Sequence, residues 1–482
     1  FSSLGMQQGS WHALAYEKEH KKGGALQVTA FYEQSYETLT APAYFGLHDK
    51  SKTNPTSNGR MNVSVGTDTP NNYTQGSIYT KTVDRDVLGQ WIGITTPTFS
   101  DSYSVTPQQR QAGFIFEYSQ DLKDLFDVGF LRYLYVNVSL PVTLTENTLK
   151  FDGPDEIFDA FSNQNSNNWK YLLYSKDVQR TFSMTNLKIS LGTTLMGNKD
   201  ILMTTCSSLI IPLVSAVENR KVFEPVQGYN GSFAAASQAM FQFPIMKKDD
   251  DALSRICLYF GFENVFAFGN KVTRTFDLKN KPFSRYMTLY DKIKNDTEHG
   301  VNVLTKDCDV EPYNFISVIT GLRFNYGKAV GEIGYEFWAH AEEKVRIHKD
   351  DPWTESRYGI AYIDHNGSLV TETATSQGLT ASKSTINYVE FADGDKRPSK
   401  SHDTVPAIAE AKYNIYIKES DIDYSSAASQ KTYVHRPYVS LGLRSSKKHL
   451  DLFLNFGAHI SASYHNSALS MWGGWFKAGA TF

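Results

Sequence analysis

Hydrophobic and polar residues alternate with a period of two in many segments of the chain. The clearest example is segment 131–145, where six apolar residues share one face: Leu134, Val136, Val138, Leu140, Val142 and Leu144. Successive side chains of a β-strand point to opposite faces of the sheet, so this period predicts strands. At roughly 3.3 Å per residue, a strand of this length suits a tilted crossing of a bilayer.

Twelve segments show this alternation, which predicts an all-β fold. They are 25–36, 110–120, 131–145, 185–195, 201–215, 231–245, 254–269, 313–326, 329–344, 434–444, 450–464 and 470–482. Shorter strand-like pieces occur at 358–363, 386–391 and 413–417, so a count of fourteen strands stays open. A short helix is predicted near 154–161.

The connections between the predicted strands alternate in length. Every second connection is short, and these are 121–130, 196–200, 246–253, 327–328 and 445–449. The longest connections, 37–109, 146–184, 270–312 and 345–433, all join the opposite ends of the strands. Outer-membrane barrels have short periplasmic turns and long extracellular loops. We therefore predict a single closed antiparallel transmembrane β-barrel over 25–482, preceded by a periplasmic segment, 1–24.

The last predicted strand carries a resemblance to a known class of proteins. One of its faces is apolar and aromatic, with Trp472, Gly474, Phe476, Ala478, Ala480 and Phe482. A final strand of this kind that ends in Phe resembles the insertion signal of Gram-negative, porin-like outer-membrane β-barrels. The resemblance implies a bacterial outer-membrane location and insertion by the barrel-assembly machinery through Trp472, Phe476, Ala478, Ala480 and Phe482. The long loops match no specific family.

Composition agrees with this class and excludes another. The chain has 482 residues, a mean hydropathy of -0.39 and no run of 18 apolar residues, which excludes a helical transmembrane protein. Barrel strands face lipid with only every second residue, so their average hydropathy is low. Aromatic residues make up 13%, enough for the girdles of a barrel. The net charge is -3 with scattered Lys and Arg, so no nucleic-acid partner is predicted.

Cysteine usage and the first residue bear on processing. The chain has three cysteines, Cys206, Cys257 and Cys308. Their number is odd and no CxxC spacing occurs, so neither a zinc site nor a disulfide scaffold is predicted. The sequence starts with Phe1, and we expect a mature form from which a signal peptide has been removed.

Polar residues on the opposite face of each strand should line the lumen. The predicted lumen-lining residues are Glu33, Glu117, Tyr133, Tyr135, Lys188, Arg255, Glu263, Arg323, Glu332, Glu336, Arg444, Asp451, His459 and Lys477. With Glu342 included, seven acids face five bases, which predicts weak selectivity with a slight cation preference. Side chains fill the interior of an eight-stranded barrel, whereas a porin with more strands has an open lumen. A barrel of twelve strands lies between these two, so we expect a narrow or partly plugged lumen. The charges either form a network of ion pairs or filter solutes.

Candidate catalytic and metal sites are weak. The segment Tyr464-His465-Asn466-Ser467 faintly resembles the His and Ser of outer-membrane phospholipase A, but the longer motif of that family is absent. The acidic pairs Asp393/Asp395, Asp350/Asp351 and Asp307/Asp309 do not fit EF-hand spacing. We predict no cofactor, no metal and no enzymatic activity.

Three functions remain open at this point. The first is a porin-like channel for passive diffusion of small polar solutes or ions through a narrow charged lumen. The second is a barrel-anchored adhesion, receptor or coat protein that acts through its extracellular loops. The third is an outer-membrane enzyme such as a phospholipase. Outer-membrane lipid and lipopolysaccharide are expected partners, and a homo-oligomer is possible.

The turn at Gly327-Lys328 predicts the register of one hairpin. A two-residue turn pairs Tyr326 with Ala329 and therefore places Arg323 opposite Glu332. The same register leaves Glu336 opposite Ile319, so Glu336 needs a base from the tenth strand, or water. A slip by one residue would turn Arg323 toward lipid, at a cost of about 2–4 kcal/mol near the midplane.

Overall fold

A computed structural model gives the fold of the chain. It describes residues 23–36, 62–66, 87–94, 96, 99–126, 129, 131, 134–162, 168–197, 201–247, 254–279, 283–294, 296–360, 362–363, 369–370, 388–390, 396–398, 416–446, 450–464 and 468–482. Among these residues, no helix is both long and apolar enough to cross a membrane.

Twelve antiparallel strands form a closed barrel. They are β1 Gly24–Ser35, β2 Ser100–Asp121, β3 Leu134–Asp152, β4 Asn186–Gly197, β5 Leu202–Pro212, β6 Ala234–Lys247, β7 Ser254–Ala267, β8 Tyr313–Tyr326, β9 Ala329–His340, β10 Thr432–Ser446, β11 Asp451–Ile460 and β12 Met471–Thr481. Each strand pairs with the next along the chain, and β12 pairs back onto β1 with Ala30 opposite Phe476. The predicted fold class and the count of twelve are confirmed.

The outer surface of the wall is apolar because the alternation of the strands places their hydrophobic residues there. Leu441, Phe456 and Ile333 are 69%, 61% and 56% exposed, although each is a large apolar side chain. The rings of Tyr32 and Trp472 lie 5.8 Å apart at the end of β12 opposite Phe482. At about 3.3 Å per residue and a tilt of about 40°, the strand between Trp472 and Phe482 rises about 25 Å, the height of a membrane-spanning apolar band.

Glycines on the inner wall accommodate flat aromatic rings. A Cβ on Gly334 would lie 2.5 Å from the hydroxyl oxygens of Tyr259 and Tyr438, and these two tyrosines hydrogen-bond to each other. Trp475 likewise covers Gly457, and Phe453 covers Gly479. Only a residue without a side chain leaves room for a ring against the backbone, so these glycines determine how large side chains pack inside the barrel.

Further strands and helices lie in the connections, most of them in the long ones. The strands are Asn62–Gly66, Val87–Leu88, Gln179–Met184, Asn270–Thr275, Asp277–Leu278, Thr288–Asp291, Asp296–His299, Thr305–Glu311, Lys344–Ile347, Tyr358–Ile360, Tyr362–Ile363, Leu369–Val370, Tyr388–Glu390, Lys396–Pro398, Ile422–Asp423 and Ala462–Tyr464. The α-helices are Asp155–Phe161 and Gly300–Val303, and short 3-10 helices lie at Gly89–Ile92, Leu122–Asp124, Ser284–Tyr286, Glu419–Asp421 and Tyr424–Ala427. The first α-helix is where the sequence predicts one.

The long connections pack together into a layer that we call the cap. Its first hydrophobic cluster joins Val63, Phe161, Trp169, Phe223 and Tyr286, which come from widely separated parts of the chain. The second hydrophobic cluster of the cap contains residues from the same connections and from a later one: Trp91, Phe276, Leu289, Cys308, Val345, Trp353 and Ile422. Because β2 and β3 extend beyond the predicted 110–120 and 131–145, their ends also contribute buried residues to the cap.

Candidate functional site

The predicted pair Arg323 and Glu332 lies inside the barrel. The two residues are register partners on β8 and β9, as the turn at Gly327 predicts. Arg323 Nε donates to Glu332 Oε1 at 2.7 Å, and Arg323 Nη1 donates to Gln242 Oε1 at 2.9 Å. Both side chains are 4% exposed or less, so the pair is screened from water. The predicted register is confirmed.

Glu336 finds its partner on the tenth strand. Arg436 Nη1 donates to Glu336 Oε2 at 2.9 Å, and Ser317 Oγ donates to Glu336 Oε1 at 2.6 Å. Of the two predicted partners, a base from strand ten or water, the structure shows the base. Arg436 is absent from the predicted lumen-lining set, although its position two residues before Tyr438 places it on the same face. Strand parity was the signal that could have identified it.

A second group of buried polar residues lies near the seam between β1 and β12. His459 Nε2 lies 3.2 Å from Glu33 Oε1, and Gln27 Nε2 donates to Glu117 Oε2 at 2.6 Å. Lys477 is fully buried, and its ammonium lies 5.9 Å from the centre of the Trp475 ring. On the far side of the barrel, Lys188 forms an ion pair with Glu263 across β5 and β6.

The remaining predicted residues have different positions. Tyr135, Arg255 and Asp451 are buried, and Arg444 is partly buried. Tyr133 lies outside the described residues. Glu342 is exposed, because β9 ends at His340 and the inward parity stops there. The residues of the predicted insertion signal face outward: Trp472, Phe476 and Phe482 are exposed, and Ala478 and Ala480 are partly exposed.

Large side chains fill the middle of the barrel. Phe31, Ile115, Met240, Tyr259, Ile319, Tyr438 and Trp475 belong to one buried cluster that draws on seven strands of the wall. Every member is 5% exposed or less. Because solvent barely reaches these residues, their packing closes the described part of the barrel at the level of the cluster.

Above this packing lies a cavity of about 290 Å³, which we call the vestibule. Its barrel side is formed by Glu33, Gln111, Trp338, His340 and Arg436, and its cap side includes Phe223, Arg274 and Arg285. The vestibule therefore lies between the polar inner wall and the cap, at the extracellular mouth of the barrel. Its volume is just below that of drug-sized ligand pockets.

Two cap arginines at the vestibule are held by carboxylates. Arg285 Nη2 lies 2.7 Å from Asp277 Oδ2, and Arg274 Nη2 lies 3.2 Å from Glu343 Oε2. Burial acts to lower the pKa of the Arg285 guanidinium, but the Asp277 carboxylate raises this pKa above its ordinary value. Arg285 is therefore charged, and each of the two arginines is fixed in place by its carboxylate partner.

The acidic residues weighed as metal ligands pair with bases. Asp307 Oδ2 lies 2.9 Å from Lys271 Nζ, and Asp351 Oδ1 lies 2.8 Å from Lys306 Nζ. Both Asp309 and Asp350 lie within 3.6 Å of the His348 ring nitrogens. Within the described ranges, no group of three or more His, Cys, Asp or Glu could hold a metal ion. Asp393, Asp395 and the segment 465–467 lie outside those ranges.

Comparison with known proteins gives structural likeness without sequence likeness. No protein-family model and no curated protein matches the chain. An outer membrane channel from Pseudomonas putida F1 is 6% identical with a TM-score of 0.37 and covers 96% of each chain. The translocator domain of autotransporter NalP from Neisseria meningitidis is 6% identical with a TM-score of 0.30, over 96% of this chain and 89% of that one.

A FadL homologue from Pseudomonas aeruginosa is 9% identical with a TM-score of 0.28, over 95% of this chain and 90% of that one. Likenesses of this size carry no argument about what the chain does. The closed antiparallel wall and its outward apolar band are those of bacterial outer-membrane barrels, and the protein lies in that membrane.

Proposed function

We propose that the protein is an outer-membrane channel for small polar solutes, which enter the vestibule from outside the cell. The observation that carries the proposal is the vestibule of about 290 Å³ between the cap and the inner wall. Charged and amide side chains from both parts line it, among them Glu33, Gln111, Arg436 and Arg274. A solute that hydrogen-bonds to such groups compensates for the water that it loses on entry.

Below the vestibule, the solute follows the polar residues of the inner wall. The pairs Glu336–Arg436 and Arg323–Glu332 lie on neighbouring strands, one above the other, and lead away from the vestibule. An anchor that only holds a cap in the membrane gains nothing from so many buried charges, whose desolvation is costly. A transport path uses them, because they replace the hydration of a passing solute.

The aromatic cluster in the middle of the barrel is the gate. Tyr259, Tyr438 and Trp475 lie flat over wall glycines, so a change of rotamer can move a ring without moving the backbone. Openings are then brief, because each one removes side chains from a well-packed position. The channel is closed most of the time.

Selectivity by charge is weak. With Glu342 outside the barrel and Asp121 and Arg436 inside, the predicted seven acids become 7 - 1 + 1 = 7 and the five bases become 5 + 1 = 6. An excess of one acid is too small for strong filtering by charge. The channel then selects solutes mainly by size, because both the gate and the vestibule limit the size of a solute that can pass.

Single-channel recording in planar lipid bilayers tests the proposal. The wild-type protein should show rare openings of small conductance, and Trp475→Ala should increase both the open time and the conductance. Trp472→Ala is the matched control, because this ring lies three residues away and faces lipid. The rate at which liposomes swell in a small neutral sugar should likewise be higher for Trp475→Ala than for the wild type and for Trp472→Ala.

Absence of both conductance and swelling in the wild type and in Trp475→Ala would overturn the channel. The cap, with two hydrophobic clusters of its own, would then favour a barrel-anchored surface protein that acts outside the cell. We propose no catalytic role. The roles of the barrel-assembly machinery and of Phe482 in insertion, as well as a homo-oligomeric state, stay predictions.

A further inference from the structure

The basic residues of the barrel wall are divided unequally between its two faces. Among the wall residues whose side chains the structure describes, those that face inward are Lys188, Arg255, Arg323, Arg436, Arg444 and Lys477. Those that face outward are Arg110 on β2, Lys150 on β3 and Arg180 on the neighbouring strand Gln179–Met184. The three outward cations thus lie on three adjacent strands, on one side of the barrel.

Two of these cations form a row with an acid between them. Arg110 is the register partner of Glu146, and Glu146 is the register partner of Arg180. Arg180 Nε lies 2.8 Å from Glu146 Oε1, and the Arg180 side chain stays 66% exposed. Lys150 follows on the same face of β3, four residues beyond Glu146. The row has a charge of +1, Lys150 adds one positive charge, and Asp152, the next outward residue of β3, offsets it, so the net charge stays +1.

The height of the row on the wall is set by its neighbours. Arg110 pairs with Gln34, whereas Tyr32, the next outward residue of β1, packs against Trp472 of the aromatic girdle. Phe182 and Met184, which follow Arg180 toward the midplane, are 72% and 53% exposed. The row therefore lies directly above the apolar band, at the end of the barrel that carries the cap. This is the level of the headgroups of the outer leaflet.

We propose that Arg110 and Arg180, with Lys150, bind the phosphate groups of a glycolipid of the outer leaflet. Guanidinium groups hold phosphate through paired, charge-assisted hydrogen bonds. The acyl chains of the same lipid would lie along Phe182, Met184 and the apolar wall below them. A phosphate-bearing glycolipid fits this row better than a zwitterionic phospholipid, because the row has a net positive charge that only an anionic headgroup complements. This inference does not depend on the channel function.

Native mass spectrometry of the protein in a nonionic detergent tests the proposal. The probe is hexa-acylated lipid A with both phosphates, and the comparators are the same lipid A after phosphatase treatment and phosphatidylglycerol. The double variant R110Q/R180Q should bind lipid A about 30-fold more weakly, since each cation contributes about fivefold near an anionic surface. The variant E146Q should bind about fivefold more tightly, because it removes the acid that lies between the two arginines.

Arg220→Gln is the matched control. Arg220 is an exposed arginine of the cap that pairs with Glu218 and is not part of the row. Its lipid A affinity should equal that of the wild type. Equal affinities of the wild type and R110Q/R180Q would overturn the proposal, as would equal binding of dephosphorylated lipid A. Binding of phosphatidylglycerol as tight as that of lipid A would overturn the choice of a glycolipid. If the double variant does not fold, the single variants, each with an expected loss of about fivefold, decide the question.

Discussion

The barrel wall and the cap have opposite distributions of polarity. The wall exposes large apolar residues such as Phe182 and Leu441 and buries Arg323 and Glu332. The cap buries Phe161 and Phe276 and exposes charges such as Arg220. The reason is the surrounding solvent, since lipid surrounds the wall and water surrounds the cap.

Both parts nevertheless bury an arginine–carboxylate pair. In the wall the pair is Arg323–Glu332, and in the cap it is Arg285–Asp277, with nearest N–O distances of 2.7 Å in both. The two parts therefore differ in where their apolar residues point and not in how they hold a charge, because each buried arginine is paired with a carboxylate.

The largest effect is expected for Arg323→Ala. The substitution leaves Glu332 as a buried charge without its main partner, which typically costs about 3–5 kcal/mol. Urea unfolding of the barrel in detergent micelles should show this loss. The control Arg220→Ala breaks an exposed pair and should change the free energy of unfolding by less than about 0.5 kcal/mol. Equal stability of the two variants would show that the inward pairs are not what holds the hairpin.

A loss of the same size, but confined to the cap, is expected for Phe161→Ala. Phe161 is fully buried and packs against Tyr103, Trp169 and Tyr286, so the cavity costs about 3–5 kcal/mol. Hydrogen exchange should rise in the cap and in the cap-covered ends of β2 and β3, and stay unchanged in the rest of the wall. If protection is lost in the rest of the wall as well, cap and barrel unfold as one unit.

A smaller loss is expected for Gly334→Ala. The new methyl group would meet the rings of Tyr438 and Tyr259, and overpacking of this kind costs about 1–3 kcal/mol. Gly331→Ala is the matched control on the same strand, because its Cβ would face outward and meet Leu441 Cδ2 at 3.4 Å and the Ser440 carbonyl oxygen at 3.8 Å. Thermal unfolding in micelles should separate the two. An equal midpoint would mean that the tyrosines move aside freely.

The smallest effect is expected from the pH dependence of the cap. Burial acts to raise the pKa of Asp291, but hydrogen bonds from Arg357 and from the amides of Ile293 and Lys294 hold this pKa below its usual value. The stabilisation is therefore complete above the unfolded pKa of about 4 and is lost as the pH falls through the folded pKa.

Asp291→Asn should accordingly weaken protection of the cap at pH 7, by an amount of about 1 kcal/mol or less for a partly exposed ion pair. The difference from the wild type should shrink as the pH falls below about 4. Hydrogen exchange of the cap amides at pH 7 and below about pH 4 measures this difference between the variant and the wild type. A difference that grows toward low pH would reverse the sign that the contacts of Asp291 imply.

The barrel wall can be predicted from the sequence alone. Alternation with a period of two located all twelve strands, because each residue faces either lipid or the interior and the two surroundings demand different side chains. The short turn at Gly327 determined the register of β8 and β9, including the contact between Arg323 and Glu332. These features depend on residues that are close in the chain or share one strand, so a local pattern is sufficient.

The packing of the long connections into a cap depends on contacts in three dimensions. Trp169, Phe223 and Tyr286 meet in one cluster although 54 and 63 residues separate them, and no period marks them in the sequence. The extension of β2 to Ser100 follows from the same contacts, since the first part of the strand, with Tyr103 and Val105, is covered by the cap and not by lipid. The vestibule and the closed centre of the barrel likewise depend on distances between side chains of distant strands. Such distances arise from packing in three dimensions, and a pattern along one chain does not contain them.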